Sequence, residues 1–206
     1  MLKLRLLHTL IIVLTLFIMA GVVYLRHSPK PALSSFYSNS TAIYARHGEL
    51  LRLTLAKDAQ YRIWTPLSEI PKNIQTATLL YEDRWFYQHL GVNPFALSRS
   101  VWMTYGKESR QGASTITMQV ARQVFNINSR TISGKLWQIG AAFWLELRYS
   151  KAELLEAYLN IAPYSGNISG VSAASLIFFH KPVSQLNVAE ALTLAVIPQN
   201  PVRRAP

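Results

Sequence analysis

Two adjacent carboxylates, Glu82 and Asp83, close an otherwise apolar helical segment and are followed by Arg84, His89 and Gly91. A carboxylate held in a cleft can take a proton from a hydroxyl, which is general-base chemistry. Successive helical side chains diverge by about 100°, so only one of the pair can face a given cleft and the other is expected to be structural. Downstream, Gly112-Ala113-Ser114-Thr115-Ile116-Thr117-Met118-Gln119 is a small, hydroxyl-rich run leading into Val120 and Val124. It reads as a helix start with Ser114 or Thr115 as N-cap, and equally as an anion or sugar site, because a helix N-terminus offers free N–H donors. Arg99, Lys107, Arg110, Arg122, Arg130 and Lys135 bracket this run, with Glu108 the one acid from Arg99 to Lys135. A solvated basic face is the usual meaning of such a cluster. Placed beside a carboxylate base, it suggests phosphate-binding cations.

The elements that must hold these residues are mostly helical. Leu6 to Leu25 is a 20-residue stretch without Asp, Glu, Lys or Arg, long enough as a helix to cross a bilayer. It reads as an uncleaved signal anchor rather than a cleaved peptide, since Ile18-Met19-Ala20 lacks the small residue wanted before a cleavage site. His27–Ser40 reads as a linker. Thr41–Arg46 and Glu49–Ala56 flank His47-Gly48 and suggest a hairpin, to which Tyr61–Trp64 adds a candidate strand. Pro71 suits a first helical position, with Ile74, Ala77, Thr78 and Tyr81 at helical spacing. Leu136, Ile139, Phe143 and Leu147 mark a second helix. Ser150-Lys151-Ala152-Glu153 is a capping box for a third, and Val188–Ile197 forms a last one, stopped by Pro198 and Pro201.

Composition narrows the classes. Half of the 206 residues are hydrophobic and 15% are charged, which excludes a disordered chain. The absence of Cys excludes a disulfide scaffold and a Cys nucleophile. The net charge of +11 asks for an anionic partner. Residues 1–30 hold four of the 21 basic residues and no acid, which leaves +7 on the remainder. Base, cations and anchor together suggest transfer from a phosphorylated lipid.

Glu82–Gly91, Gly112–Gln119, Lys135 with Gln138, Lys151–Asn160 and Leu186–Pro201 occur in the order and spacing of glycosyltransferase family 51. The chain resembles that family, the peptidoglycan glycosyltransferases of bacteria, over roughly residues 41–201, and within it looks most like the type 1C penicillin-binding proteins. The resemblance implies a mainly α, lysozyme-like domain with a small N-terminal β-hairpin at 41–206. Before it come a cytoplasmic tail at 1–5, a transmembrane anchor at 6–25 and a linker at 26–40. It implies polymerisation of lipid II into β-1,4 glycan, with inversion and release of the undecaprenyl pyrophosphate carrier. By position, Glu82 is the implied general base, Asp83 the second acid of its motif and Gln138 the catalytic position of the third. Ser114, Thr115 and Gln119 are implied to line the donor site, and Arg122, Arg130 and Lys135 to bind the pyrophosphate. Phe95, Ala96, Leu97, Val101, Trp102, Met103 and Tyr105 match a membrane-contacting jaw. The implied partners are lipid II, the growing glycan, the membrane and other cell-wall synthesis proteins, with no nucleic acid. A divalent cation, Mg or Mn, is the candidate cofactor, with no metal ligand assigned. The implied location is the bacterial inner membrane, single-pass, with the catalytic domain on the periplasmic or outer side.

The departures from the family pattern carry expectations too. Met118 stands where the second motif usually has the first of two Gln, and Gly134-Lys135-Leu136-Trp137-Gln138 replaces Arg-Lys-x-x-Glu. Gln138 can hydrogen-bond but cannot stabilise positive charge as a carboxylate would. The domain is expected to be truncated at its C-terminus and to have no transpeptidase domain. The second reading is a catalytically impaired relative that binds lipid-linked precursor or cell-wall partners. A lysozyme-like hydrolase and a nucleic-acid binder stay open behind these.

Overall fold

The computed structural model describes residues 2–95 and 114–205, with side chains from Arg5 onward. The sequence positions singled out above at Ala96, Leu97, Arg99, Val101, Trp102, Met103, Tyr105, Lys107, Glu108, Arg110, Gly112 and Ala113 lie outside the described residues. Helix α1, Leu2–His27, is exposed along almost all of its length, with Val22 and Leu25 partly covered where it meets the rest of the protein. It is long and apolar enough to cross a membrane.

The stretch read as a linker is held against the lobe. Leu33 is buried in the core at the start of a 3-10 turn over Leu33–Phe36. Arg148 donates to the carbonyls of Leu25 and Pro29 and to the Ser28 hydroxyl, while the Tyr149 hydroxyl donates to the Pro31 carbonyl. Lys30 pairs with Glu153 at 2.8 Å. Long-range donors thus satisfy several of the segment's carbonyls.

The expected hairpin forms from β1, Ala42–Tyr44, and β2, Leu50–Leu53, antiparallel with Ile43 opposite Arg52. Gly48 takes a φ of +88° in the turn, which glycine tolerates best. Tyr61 does not extend this sheet; it bridges to Ile168 instead. A second two-stranded ribbon, β3 (Pro163–Ser165) with β4 (Ile168–Ser169), follows the central helices.

Among the described residues, six further helices of nine residues or more and a four-residue one belong to the lobe: α2 Lys72–Glu82, α3 Ile116–Val124, α4 Ile132–Arg148, α5 Lys151–Ile161, α6 Val171–Phe179, α7 Val188–Val196 and α8 Pro201–Arg204. The fold is mainly α, as expected. Helix α5 starts at the capping box read from sequence, with Ser150 and Glu153 exchanging hydrogen bonds, and is buried on nearly every side. A helix apolar all round belongs in a core, and α3 packs on it while α2 packs on α7. Pro201 does not merely stop the chain: it takes the first position of α8, where its missing N–H costs nothing.

The stripe that marked α4 is split: Leu136 and Phe143 are exposed, Ile139 and Leu147 are partly buried with Ile139 against the core, and Gln138, Ala141, Ala142, Leu145 and Glu146 are buried. Apolar spacing located the helix but not its inner side, because that side is built from small residues and two paired polar ones.

Polar residues of α5 position the segment that leads into α2. Asn160 is fully buried, accepts from the Thr65 N–H at 2.7 Å and donates to the Thr65 carbonyl at 2.8 Å. Glu156 accepts from the Trp64 indole and the Leu67 N–H. Asn160→Ala strands two buried backbone groups, and the expected cost of about 2–3 kcal/mol is read as a lowered midpoint in thermal unfolding.

Candidate active site

Glu82 ends α2 and Asp83 is its C-cap, so the two carboxylates point apart as their spacing requires. Asp83 is buried. Both its oxygens lie within 3.1 Å of His89 Nε2, and Oδ2 also accepts from the Ile116 N–H at 3.1 Å. This carboxylate therefore caps the N-terminus of α3, where a negative charge is favoured. The anion that the hydroxyl-rich run was read as awaiting is, at that helix end, the protein's own Asp83.

Thr115 is buried as well. Its hydroxyl accepts from the Met118 N–H at 3.1 Å and donates to the Gly91 carbonyl at 2.5 Å, which makes it the N-cap of α3. Gly91 must be glycine on two counts: its φ is +81°, and a Cβ would stand 2.9 Å from the Ala142 carbonyl oxygen. Met118 is fully buried, so an apolar side chain suits its position.

Gln119 points the other way. It donates to Glu82 Oε2 at 2.9 Å. Burial pushes the Glu82 carboxyl above its ordinary range, an effect that the Gln119 bond and the Arg204 charge oppose and the neighbouring Asp83 charge supports. The second oxygen of Glu82, Oε1, is buried without a hydrogen-bond partner among the described residues. Tyr158 and Tyr164 are fully buried within electrostatic reach, and burial followed by the Glu82 charge drives both phenols upward. Nothing in the sequence pattern singled out these tyrosines; their positions in α5 and β3 meet Glu82 only in the fold.

The cations divide. Lys135, on α4, donates to the Ser114 hydroxyl at 2.8 Å and to Gln138 Oε1 at 3.0 Å. Burial and then the nearby Arg122 charge lower its pKa, as expected for two cations brought together without an acid between them. No described carboxylate pairs with either one. Gln119 and Arg122 stand three residues apart on α3, hence on one face of that helix. Arg130 sits in the connection between α3 and α4, exposed, and its guanidinium makes no hydrogen bond among the described residues. Gln138 is buried and donates to the Met118 carbonyl at 2.7 Å, so its amide is consumed by α3 and Lys135 together.

A buried network behind the cleft escaped sequence reasoning. Thr117 donates to Glu146 at 2.6 Å, Glu146 pairs with Lys151 at 2.7 Å, and Lys151 donates to the His89 carbonyl at 2.7 Å. Lys151 also lies over the Phe86 ring, 4.4 Å from its centroid. Glu146 was readable only as a polar residue in an apolar helix.

The donor set among the described residues does not fit a resident divalent cation. Among the described residues no three metal-ligating side chains converge, Asp83 is committed to His89 and α3, and position 138 offers an amide. Hard cations want several anionic oxygens, and no step below runs through one.

The two carboxylates carry opposite stability consequences. Glu82 is pushed upward, so the folded state favours its protonated form and loses stability as pH rises from the ordinary carboxylate range. Glu82→Gln is therefore expected to raise the unfolding midpoint at neutral pH. Asp83→Ala leaves His89 and the Ile116 N–H unpaired and is expected to lower stability by about 3 kcal/mol, measured by denaturant titration at the same pH.

A family profile described as Transglycosylase matches residues 47–206. Penicillin-binding protein 1C of Escherichia coli (strain K12) is 39% identical over 166 residues, which are 80% of this chain and 21% of that protein. Penicillin-binding protein 4 of Bacillus subtilis (strain 168) is 35% identical over 160 residues, 77% of this chain and 26% of that protein. The chain thus spans about a fifth to a quarter of the length of these two relatives. The Biosynthetic peptidoglycan transglycosylase of Pasteurella multocida (strain Pm70) is 32% identical over 200 residues, 97% of this chain and 78% of that protein. With the profile covering most of its length, the chain belongs to the transglycosylase family.

Proposed function

We propose that the protein is a membrane-anchored peptidoglycan glycosyltransferase that joins lipid II units into β-1,4 glycan, with inversion and release of the undecaprenyl pyrophosphate carrier. The observation that carries this reading is a desolvated carboxylate and an unneutralised cation pair set along one face of α3. Glu82 stands on one side of α3, bonded to Gln119, while Arg122 and Lys135 stand further along it.

In this mechanism Glu82 accepts the proton of the acceptor's sugar hydroxyl as that oxygen attacks the anomeric carbon of the donor. Its Oε1, which makes no hydrogen bond of ordinary geometry although the Tyr158 hydroxyl stands close to the carboxylate, is the proton acceptor. The glycosidic bond forms as the bond to the pyrophosphate breaks, and negative charge grows on the departing oxygen. Lys135 and Arg122, already close and without a carboxylate partner among the described residues, stabilise that charge, with Ser114 fixing the ammonium. Gln119 orients Glu82. Arg130, exposed in the connection between α3 and α4, joins the pyrophosphate contacts as substrate enters. Asp83 and Thr115 act as positioning residues, and Gln138 holds Lys135 in place of a second carboxylate. Helix α1 serves as a single-pass anchor in the bacterial inner membrane with the lobe on the periplasmic side. Other cell-wall synthesis proteins are the partners such a lobe serves.

The impaired, precursor-binding reading draws on one observation, the commitment of the Gln138 amide to Met118. Purified full chain incubated with labelled lipid II separates the two. Polymer is expected from the wild type and none from Glu82→Gln, with lipid II binding kept in both; binding without polymer in the wild type favours the impaired relative.

The acid limb of the pH–rate profile is expected above the ordinary carboxylate range, because Glu82 works only when ionised and burial raises its pKa. Arg204→Gln removes a charge that opposes this rise and should move the limb to higher pH. Gln138→Glu replaces the donor to the Met118 carbonyl by an acceptor and pairs Lys135. A stability loss of about 1–3 kcal/mol and no gain in rate are expected, and a gain would show that the missing carboxylate limits turnover.

A further inference from the structure

A phenol hydroxyl deep in a helical core costs free energy unless something takes its hydrogen bond. Tyr158 is 1% exposed, on α5, and its hydroxyl makes no hydrogen bond of ordinary geometry among the described residues. The same is true of Glu82 Oε1. One of these atoms belongs to a donor and the other is an acceptor, and the two side chains stand close to each other. A phenylalanine ring would fill the same place in the core, so packing accounts for the ring of Tyr158 and leaves its hydroxyl to be explained.

The ring is held firmly. Leu154, Leu155, Leu159 and Ile161 are buried on the same helix, the Ser150–Glu153 capping box fixes its start, and Asn160 ties its end to Thr65. A side chain locked by packing on a rigid helix aims its polar end reproducibly. Glu82 arrives at the end of α2, with Gln119 of α3 donating to Oε2. The charges that bear on this carboxylate come from Asp83 beside it and Arg204 on α8, while Arg122 on α3 bears on the Tyr158 phenol and the Tyr164 phenol of β3 feels the Glu82 charge. Of these groups, Gln119 and Tyr158 are the ones placed to donate a hydrogen bond to Glu82.

We propose that Tyr158 is a positioning residue for Glu82: as the carboxylate ionises, the phenol donates to one lone pair of Oε1 while Gln119 holds Oε2, which leaves the second lone pair of Oε1 for the acceptor's proton. The role in turnover rests on the glycosyl-transfer reading, whereas the hydrogen bond itself does not. Burial alone would keep the carboxyl protonated and idle as a base, and a full set of donors would weaken its hold on a proton. One amide and one phenol keep it between these limits. A donor to the ionised form lowers the folded-state pKa relative to its absence, so the stability that Tyr158 contributes is present above that pKa and lost as pH falls through it.

Tyr158→Phe deletes one oxygen and keeps the ring. In the full chain at mildly alkaline pH it is expected to raise the unfolding equilibrium constant roughly tenfold or more, as for a lost bond to a charged group, and the effect shrinks at mildly acidic pH. In a Glu82→Leu background, where the phenol meets no carboxylate, the same substitution is expected to leave the constant unchanged or lower it. With labelled lipid II, the acid limb of the pH–rate profile is expected to move up by about half a unit to one unit. That shift is a roughly three- to tenfold loss of kcat on the limb, closing at higher pH, with KM unchanged. Tyr37→Phe, which removes another buried phenol hydroxyl without a partner among the described residues, is the reference and is expected to cause neither change.

A Tyr158→Phe protein as stable as the wild type or more so at both pH values overturns the proposal, because removing an unpaired hydroxyl relieves the core. So does an equal stability loss in both backgrounds, or a loss of rate uniform across pH, either of which marks a packing role. The unfolding measurements require no turnover. Coupling between Tyr158 and Glu82 in a wild type that makes no polymer sinks glycosyl transfer and leaves the bond standing, and polymer without coupling sinks the bond alone.

Discussion

The buried carboxylate of Asp83 is the constraint on which the site depends. A charge out of water is tolerated only when its lone pairs are filled, and here they are filled from two places at once, His89 and the first N–H of α3. That requirement fixes the end of α2 against the start of α3. Because Glu82 is the adjacent residue, fixing Asp83 also fixes where Glu82 points. Because Gln119 and Arg122 lie one turn or more along α3, their aim is set by the same contact. Behind it, the chain of bonds through Thr117, Glu146, Lys151 and the His89 carbonyl ties α4 and α5 to the same place.

Neighbouring acids with unlike surroundings are a general way to separate roles. Asp83 is saturated with donors and behaves as part of the framework. Glu82 is buried with one donor in Gln119, one oxygen without a hydrogen bond of ordinary geometry, and two buried phenols within electrostatic reach, so its charged form is the less comfortable one. Discomfort of that kind is what a proton acceptor needs, since a fully satisfied carboxylate has no reason to take a proton. The same logic applies with reversed sign to Lys135 and Arg122, which repel each other across the gap between α3 and α4.

Much of this was legible beforehand, and the reasons are local. The Ser150–Glu153 capping box, the hairpin around Gly48 and the divergence of Glu82 from Asp83 depend on residues a few positions apart, which sequence displays directly. Thr115 illustrates the limit. Its hydroxyl could serve a cap or a ligand equally well, and only the arrival of the Gly91 carbonyl decides. The inner side of α4 misleads for a related reason: Gln138 and Glu146 look like surface residues until their distant partners, Met118, Lys135, Thr117 and Lys151, are in place. Tyr158 and Tyr164 lie so far along the chain from Glu82 that no spacing rule connects them.

The bonded junction between α1 and the lobe has a kinetic side. A lobe on a loose tether would tumble, and each encounter with a membrane-bound molecule would begin with an orientational search. Arg148, Lys30 and Tyr149 suppress that freedom during folding, before any substrate arrives. On the proposed reading, what remains is a search in two dimensions, in which the cleft meets each diffusing lipid in the same attitude and the rotational entropy of docking has already been surrendered.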